Sequence, residues 1–389
     1  MQAIKGELEM ESVINYQDIV DETIKLLKEN DWKKSYSKYL SNWATYTKKS
    51  TNYNKVKNLI RNCYYKTNNE LSEGSYFEQN FGLYTSVSIK KQTYNLRFRG
   101  LSIAFFYYDE EGKLVFDKSS IKKQKKGSNQ IPEMIKLLGK ERSNEWATGE
   151  KSISINRLNE LCSMFSPKNI SLNYYNEAVV ESALLNHINS HQKDHSPFSN
   201  ITAITRPKKK TAYFQLNTPL SCSDIHNYYT QKNKSLCEFI KYSGPSYGGG
   251  IDILCRRGRG GSSIVQVIEV KDSYVNNEQP QYAISQAIAY STFLLRLLRS
   301  KEVKCKEDKT LTWWNIIVGQ RRIEKPLKIE AVIAMPPNPD GKTMLDFIGK
   351  ELTVPWENGN NNDIIRLTYL PFTQGNVEEN SFNFEYIRG

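Results

Sequence analysis

Between Gly248 and Tyr290 the chain puts charged residues inside runs that otherwise read as protein core. Residues 251–255 read Ile-Asp-Ile-Leu-Cys, and residues 264–270 read Ile-Val-Gln-Val-Ile-Glu-Val, followed by Lys271. Both runs have the length and β-branched content of buried strands. The glycine- and arginine-rich segment 256–261 between them suits a turn. A hairpin built this way brings Asp252 and Glu269 side by side, and the two-residue period turns Val267, Glu269 and Lys271 to one face. The next segment, Pro280 to Leu298, has the pattern of a strong helix, on which Gln286 and Tyr290 are four apart and share a face. A carboxylate in an apolar run is costly unless something positive meets it, and two adjacent carboxylates repel unless a cation neutralises them.

Each piece also has an ordinary reading. Asp252 alone could cap a strand start, and Glu269 with Lys271 could be a same-face salt bridge. Together they describe a site for a hard divalent ion, magnesium or manganese. Such an ion polarises a phosphate oxygen and lowers the pKa of a bound water. Lys271 would then orient or help deprotonate that water and stabilise the developing charge.

The order Asp252, then Glu269-Val270-Lys271, resembles the D…(D/E)-x-K pattern of the PD-(D/E)XK nuclease superfamily, with Ile251 where a proline often precedes the acid. Gln286-x-x-x-Tyr290 is similar to the helix motif of one exonuclease-like branch. The resemblance covers roughly residues 174–334. It implies an α/β fold with a mixed central sheet flanked by helices, a restriction-endonuclease-like core. It also implies catalytic roles for Asp252, Glu269, Lys271, Gln286 and Tyr290, although on spacing alone the last two could simply face neighbours from a half-exposed helix. The family often adds an acid from the helix before the sheet. Glu177 and Glu181 share a helix face, and Glu181, next to the apolar Val179-Val180 pair, is the preferred third metal ligand beside Asp252 and Glu269.

Elsewhere the pattern changes along the chain. Residues 16–70 have helical apolar spacing, and residues 83–117 alternate like an antiparallel sheet, with a hairpin turn at Asp109 to Gly112. Short helices are expected at 131–138 and 155–165, an amphipathic helix at 174–191, strands at 213–216, 329–334 and 364–370, and a polar helix or helix pair at 221–242; residues 201–204 form a short apolar run. Ser166-Pro167-Lys168-Asn169 marks a boundary. Residues 1–168 are expected to form an N-terminal α+β DNA-recognition domain, and residues 169–389 the nuclease-like domain.

The formal net charge of +12 suits a polyanionic partner. Basic clusters lie at Lys122 to Lys126, at Arg206 with Lys208, Lys209 and Lys210, and at Arg256, Arg257 and Arg259. The last, at the hairpin tip, is read as lying beside the carboxylates and gripping phosphates; a solvated turn is the alternative. The six cysteines form no C-x-x-C pair, and His187, His191 and His195 lack the H-E-x-x-H pattern, so a zinc site is not expected. P-loop and G-x-S-x-G motifs are absent, and no organic cofactor is expected. With no secretory leader and no membrane-spanning run, a cytoplasmic protein is the simplest reading. These features point to a magnesium-dependent DNA endonuclease of the type II restriction or related defence kind, acting as a homodimer because one core cuts one strand. The alternatives are a non-catalytic nucleic-acid-binding protein on the same scaffold, or a nuclease for RNA or single-stranded ends.

Overall fold

The computed structural model describes residues 15–46, most of 57–65, 79–86, 93–108, 114–116, 163, 176–190, most of 198–206, 212–227, 235–258, 263–272, most of 280–304, 310–319, 326–337, 346–375 and 382–385. The first part supplies helices α1 (Tyr16–Glu29) and α2 (Lys33–Tyr46), then strands β1 (Phe81–Ser86), β2 (Thr93–Phe98), β3 (Leu101–Tyr108) and β4 (Leu114–Phe116). After these come α3 (Glu177–Ser190), β5 (Ile201–Ala203), β6 (Thr205–Arg206), β7 (Ala212–Gln215), and a two-stranded ribbon of β8 (Leu220–Ser221) and β9 (Lys241–Tyr242). The hairpin β10 (Ile253–Arg257) and β11 (Ile264–Val270) leads into α4 (Pro280–Leu298). The chain continues through a second ribbon, β12 (Val303–Lys304) with β13 (Thr310–Leu311), then α5 (Trp313–Ile317). It ends with β14 (Lys328–Met335), β15 (Glu351–Pro355), β16 (Asn362–Gln374) and β17 (Phe382–Phe384).

The class is mixed α/β. A seven-stranded sheet runs β15-β16-β14-β11-β10-β5, with β17 added on β16. The neighbours β11, β14 and β16 are parallel, and the outer pairs are antiparallel. Two parallel neighbours need a crossover, and α4 lies in the one between β11 and β14. Proline at the first position of α4 costs no hydrogen bond there. Nearly every residue of α4 is buried. A helix apolar all round must be covered on its outer side too. Helix α1 provides that cover with Ile19, Val20 and Ile24, and Trp32 packs edge-on against Phe293 at 5.4 Å. On the opposite face of the sheet, Val179, Val180 and Leu184 of α3 pack with Ile253, Ile268 and Val332. The side chains of β11 alternate as the two-residue period requires: Val265 and Val267 join the α4 side, Ile268 and Val270 the α3 side.

Two expectations are corrected here. The boundary at 168/169 does not separate packing units, because α1 and α2 contribute to the same core as α4 and β14. The six-stranded second sheet, β4-β3-β2-β1-β7-β6, also takes strands from both sides of that boundary, with β7 parallel to β1. Second, the polar helix or helix pair expected at 221–242 does not fill that range: its described parts are β8, a turn leading into helical residues 226–227, a 3-10 turn at Leu236–Glu238, and β9. Ile225, Leu236, Phe239 and Ile240 are buried. The β3–β4 hairpin forms as expected. Its turn, the short helix expected at 131–138, and all of that expected at 155–165 but helical Ser163 lie outside the described residues. Among the described residues no helix is long and apolar enough to cross a membrane.

Candidate active site

The register of β10 on β11 pairs Ile253 with Ile268. The next step of that antiparallel ladder sets Asp252 opposite Glu269 at the open end of the hairpin. Asp252 Oδ2 accepts the Val270 N–H at 2.9 Å, which fixes one carboxylate oxygen. The Lys271 backbone N–H donates to the Ala334 carbonyl at 2.9 Å, extending the parallel ladder onto β14 by one residue. That anchor holds the Lys271 amine 2.9 Å from Glu269 Oε1 and 3.3 Å from Glu177 Oε2. Glu269 is 1 % exposed, and its Oε2 has no hydrogen-bond partner. Asp252, Glu269 and Lys271 thus line one wall of the same cavity at the end of the hairpin.

Burial, and secondarily the charge of Asp252, pushes the Glu269 carboxyl well above its usual range, although Lys271 pulls the other way. Asp252 is also raised by burial, with Lys271 and the Val270 N–H opposing. Burial works against the charge on Lys271, but Glu269, Glu177 and Asp252 outweigh it and raise the amine's pKa. The ammonium is thus held charged by its surroundings.

Glu177 and Glu181, one helical turn apart, meet different partners. Glu177 lines the cavity and meets Lys271. Glu181 is turned toward the second sheet, 3.3 Å from Arg97 of β2. It is pushed up to about 8 by burial, against the pull of Arg97, with Asp252 and Glu177 adding to the rise. The Arg97 guanidinium also donates to Gln215 Oε1 at 2.7 Å and stacks 4.0 Å above the Tyr84 ring. Proximity of Glu181 to the apolar stripe was a sound guide to burial but not to direction: one helical turn moves a side chain from the cavity to the sheet interface. Arg97 was not singled out by sequence reasoning. No local signal marks it, since it is an ordinary polar position on an alternating strand.

These side chains sit at one wall of a cavity of about 400 Å³, whose other walls include Ser221, Cys222, His226 and Tyr282. Gln286 and Tyr290 reach it from α4, with Gln286 Nε2 3.4 Å from the Tyr290 hydroxyl. Tyr290 is 2 % exposed, and burial raises its phenol well above the usual range, so the hydroxyl stays protonated. The glycines ahead of β10 serve the protein's own packing. A Cβ on Gly248 would run into the Thr218 carbonyl, and one on Gly249 into the Tyr290 hydroxyl. Gly249→Ala is therefore expected to cost about 1–3 kcal/mol in urea unfolding, the usual cost of overpacking. Tyr290→Phe in the same chain should restore part of it by removing the clashing oxygen. Equal costs with and without the hydroxyl would show that the contact is not the cause.

The basic residues at the hairpin tip are elsewhere than expected. Arg257 pairs with Ile264 at the closed end of the hairpin, whereas Asp252 and Glu269 lie at the open end, roughly 16 Å away at about 3.3 Å per residue. Arg256 donates to the Val318 carbonyl at 2.8 Å, and Arg257 forms an ion pair with buried Glu330. Both are committed to internal partners. Arg259, Lys208, Lys209, Lys210, the Lys122 to Lys126 run, His191 and His195 lie outside the described residues. His187 packs between the Phe198 and Phe384 rings.

Among the described residues no ready-made group of three or more His, Cys, Asp or Glu side chains stands in metal-binding geometry. The donors that could hold a divalent ion are Asp252 and Glu269, with Glu177 beside them. They fit a hard cation: all are carboxylates, and one buried Glu269 oxygen has no partner. Among the described residues, Lys271 and Arg97 oppose the carboxylates of Glu177, Glu181, Asp252 and Glu269. The molecule is thus a mixed α/β protein with a buried carboxylate–lysine centre at the open end of a central hairpin. Comparison with profiles of known families, with curated proteins and with solved structures finds no match to the chain.

Proposed function

We propose that the protein is a divalent-metal-dependent nuclease that hydrolyses phosphodiester bonds in DNA, of the type II restriction or related defence kind, with a restriction-endonuclease-like core. The observation that carries this reading is the hairpin register, which sets Asp252 against Glu269 with the Lys271 amine 2.9 Å from the latter, at the wall of a cavity. Asp252 and Glu269 would hold magnesium or manganese, with Glu177 as a further donor. When bound, the ion supplies Lewis-acid polarisation of a phosphate oxygen. The charged Lys271 amine is positioned to hold an attacking water and to stabilise negative charge developing on the phosphate. The protonated Tyr290 hydroxyl, beside Gln286, offers a neutral donor to the same region. The net charge of +12 favours a polyanionic substrate. Cutting both strands of a duplex calls for two such centres, which a homodimer would supply.

The test is incubation of supercoiled plasmid, linear single strands and RNA with the full chain, with magnesium, with manganese, and with a chelator. Nicking or linearisation of the plasmid only in the presence of either metal is expected. Failure to cut any of the three with either metal would overturn the reading in favour of a non-catalytic binding protein. Cutting confined to RNA or single strands would change the substrate class.

A further inference from the structure

Tyr247 stands apart from every other large hydrophobic side chain among the described residues: it is exposed, at 86 %. It sits on the turn between β9 and β10, and that turn is pinned. The N–H groups of Ser243 and Gly244 donate to the Pro219 carbonyl at 2.8 and 3.1 Å. Those of Tyr247 and Gly248 donate to the Gly244 carbonyl at 3.1 and 3.0 Å, and that of Gly249 to the Leu220 carbonyl at 2.6 Å. Gly244, at φ +83°, takes a left-handed conformation that a side chain would strain, and Pro245 fixes the next φ. Gly248 is seated against the Thr218 carbonyl with no room for a Cβ. The ring therefore projects into water from a backbone with little freedom.

Its position gives the exposure a use. Gly249 and Gly250, two and three residues on, belong to the wall of the cavity that holds Asp252 and Glu269. Two Cα steps span at most about 8 Å, so the Tyr247 backbone lies within about two nucleotide steps of that wall. A solvent-facing aromatic ring on a pinned backbone beside a site for phosphates is what stacking of a nucleobase needs, since every base has a π-face. We propose that Tyr247 is a base-stacking subsite at the rim of the cavity, taking the face of an unpaired nucleobase one or two nucleotides from the phosphate bound inside. The placement of that phosphate rests on the nuclease reading; the stacking itself requires no cleavage.

The test uses the full chain in chelator, so that nothing is cut. Binding is measured by fluorescence anisotropy with a short labelled single strand of mixed sequence and with an abasic phosphate backbone of the same length. Tyr247→Ala should weaken binding of the base-bearing strand about tenfold or more, the size of one base–aromatic stack. It should leave the abasic strand unchanged, and Tyr247→Trp should keep wild-type affinity. Because the side chain is exposed, each variant should unfold at the wild-type urea midpoint. Equal binding by wild type and Tyr247→Ala, an equal loss on the abasic strand, or no binding of either strand by the wild type would each overturn the subsite. Metal-dependent cleavage is scored separately. Its absence with the stacking difference intact sinks the nuclease reading alone, and cleavage without that difference sinks the subsite alone.

Discussion

Replacing Lys271 with methionine should both abolish activity and destabilise the protein, and the stability loss should grow as pH rises. The substitution keeps the length of the side chain and removes its charge. Glu269, 1 % exposed, would then lose its closest cation while still facing Asp252. Breaking a buried pair by deleting one partner costs about 3–5 kcal/mol, because the other charge stays buried without compensation. Protonation offers an escape. In the wild type, Lys271 has a raised pKa, so its contribution is fully present below the ordinary lysine value of 10.5 and constant across the neutral range. In the variant, the Glu269 carboxyl, already raised, rises further once the amine is gone. Above the ordinary value of 4.5 the native state then keeps a proton that the unfolded chain releases, and stability falls with increasing pH. Glu269 is already raised in the wild type, so both chains lose stability as pH climbs above 4.5; the variant should go on losing it to higher pH, and the difference in urea unfolding should widen toward about 3 kcal/mol with rising pH. A difference independent of pH would mean that packing, not the ion pair, is what the lysine contributes. Cleavage should drop by at least about a hundredfold, in the range of one lost group that stabilises charge developing in the transition state.

The parts of the fold legible in the sequence are those set by contacts between near neighbours. The β10–β11 hairpin could be read because two apolar runs and a glycine turn are contiguous, and a ladder between them fixes which residues face each other. Pro280 and an unbroken apolar surface announced α4 in the same way. What the sequence hid are pairings across long separations. Nothing near Ile19 or Trp32 says that they will cover Phe293, so the first helices were assigned to a separate domain. The different surroundings of Glu177 and Glu181 were hidden for a related reason. Helical spacing places both on one face but does not say which end of that face meets the Lys271 amine and which meets Arg97, and Arg97 arrives from a strand more than 80 positions earlier. The hairpin arginines show the opposite hazard. A basic run looks like a phosphate grip until the ladder places it at the closed end and the buried Glu330, two strands away on β14, claims Arg257.

Asp252→Asn should remove metal-dependent cleavage while leaving the fold nearly untouched, because the two roles of this carboxylate use different properties. Its structural role is one accepted hydrogen bond, from the Val270 N–H to Oδ2 at 2.9 Å, and an asparagine carbonyl can accept the same bond. Its role toward a divalent ion depends on charge, which asparagine lacks. Loss of the negative charge should also relieve Glu269, whose carboxyl is raised partly by Asp252, so stability in urea should equal or exceed that of the wild type near neutral pH. Activity should fall by at least about a thousandfold, since several kcal/mol of charge stabilisation depend on the ion and each 1.36 kcal/mol is tenfold in rate. Titration with manganese, followed by proton relaxation enhancement, reads binding without turnover. Wild type should show saturable binding that the variant loses, while Gly249, Tyr290 and the cavity walls stay in place. Wild-type cleavage by Asp252→Asn, or undiminished manganese binding, would remove this carboxylate from the metal site and end the assignment that the hairpin register supports.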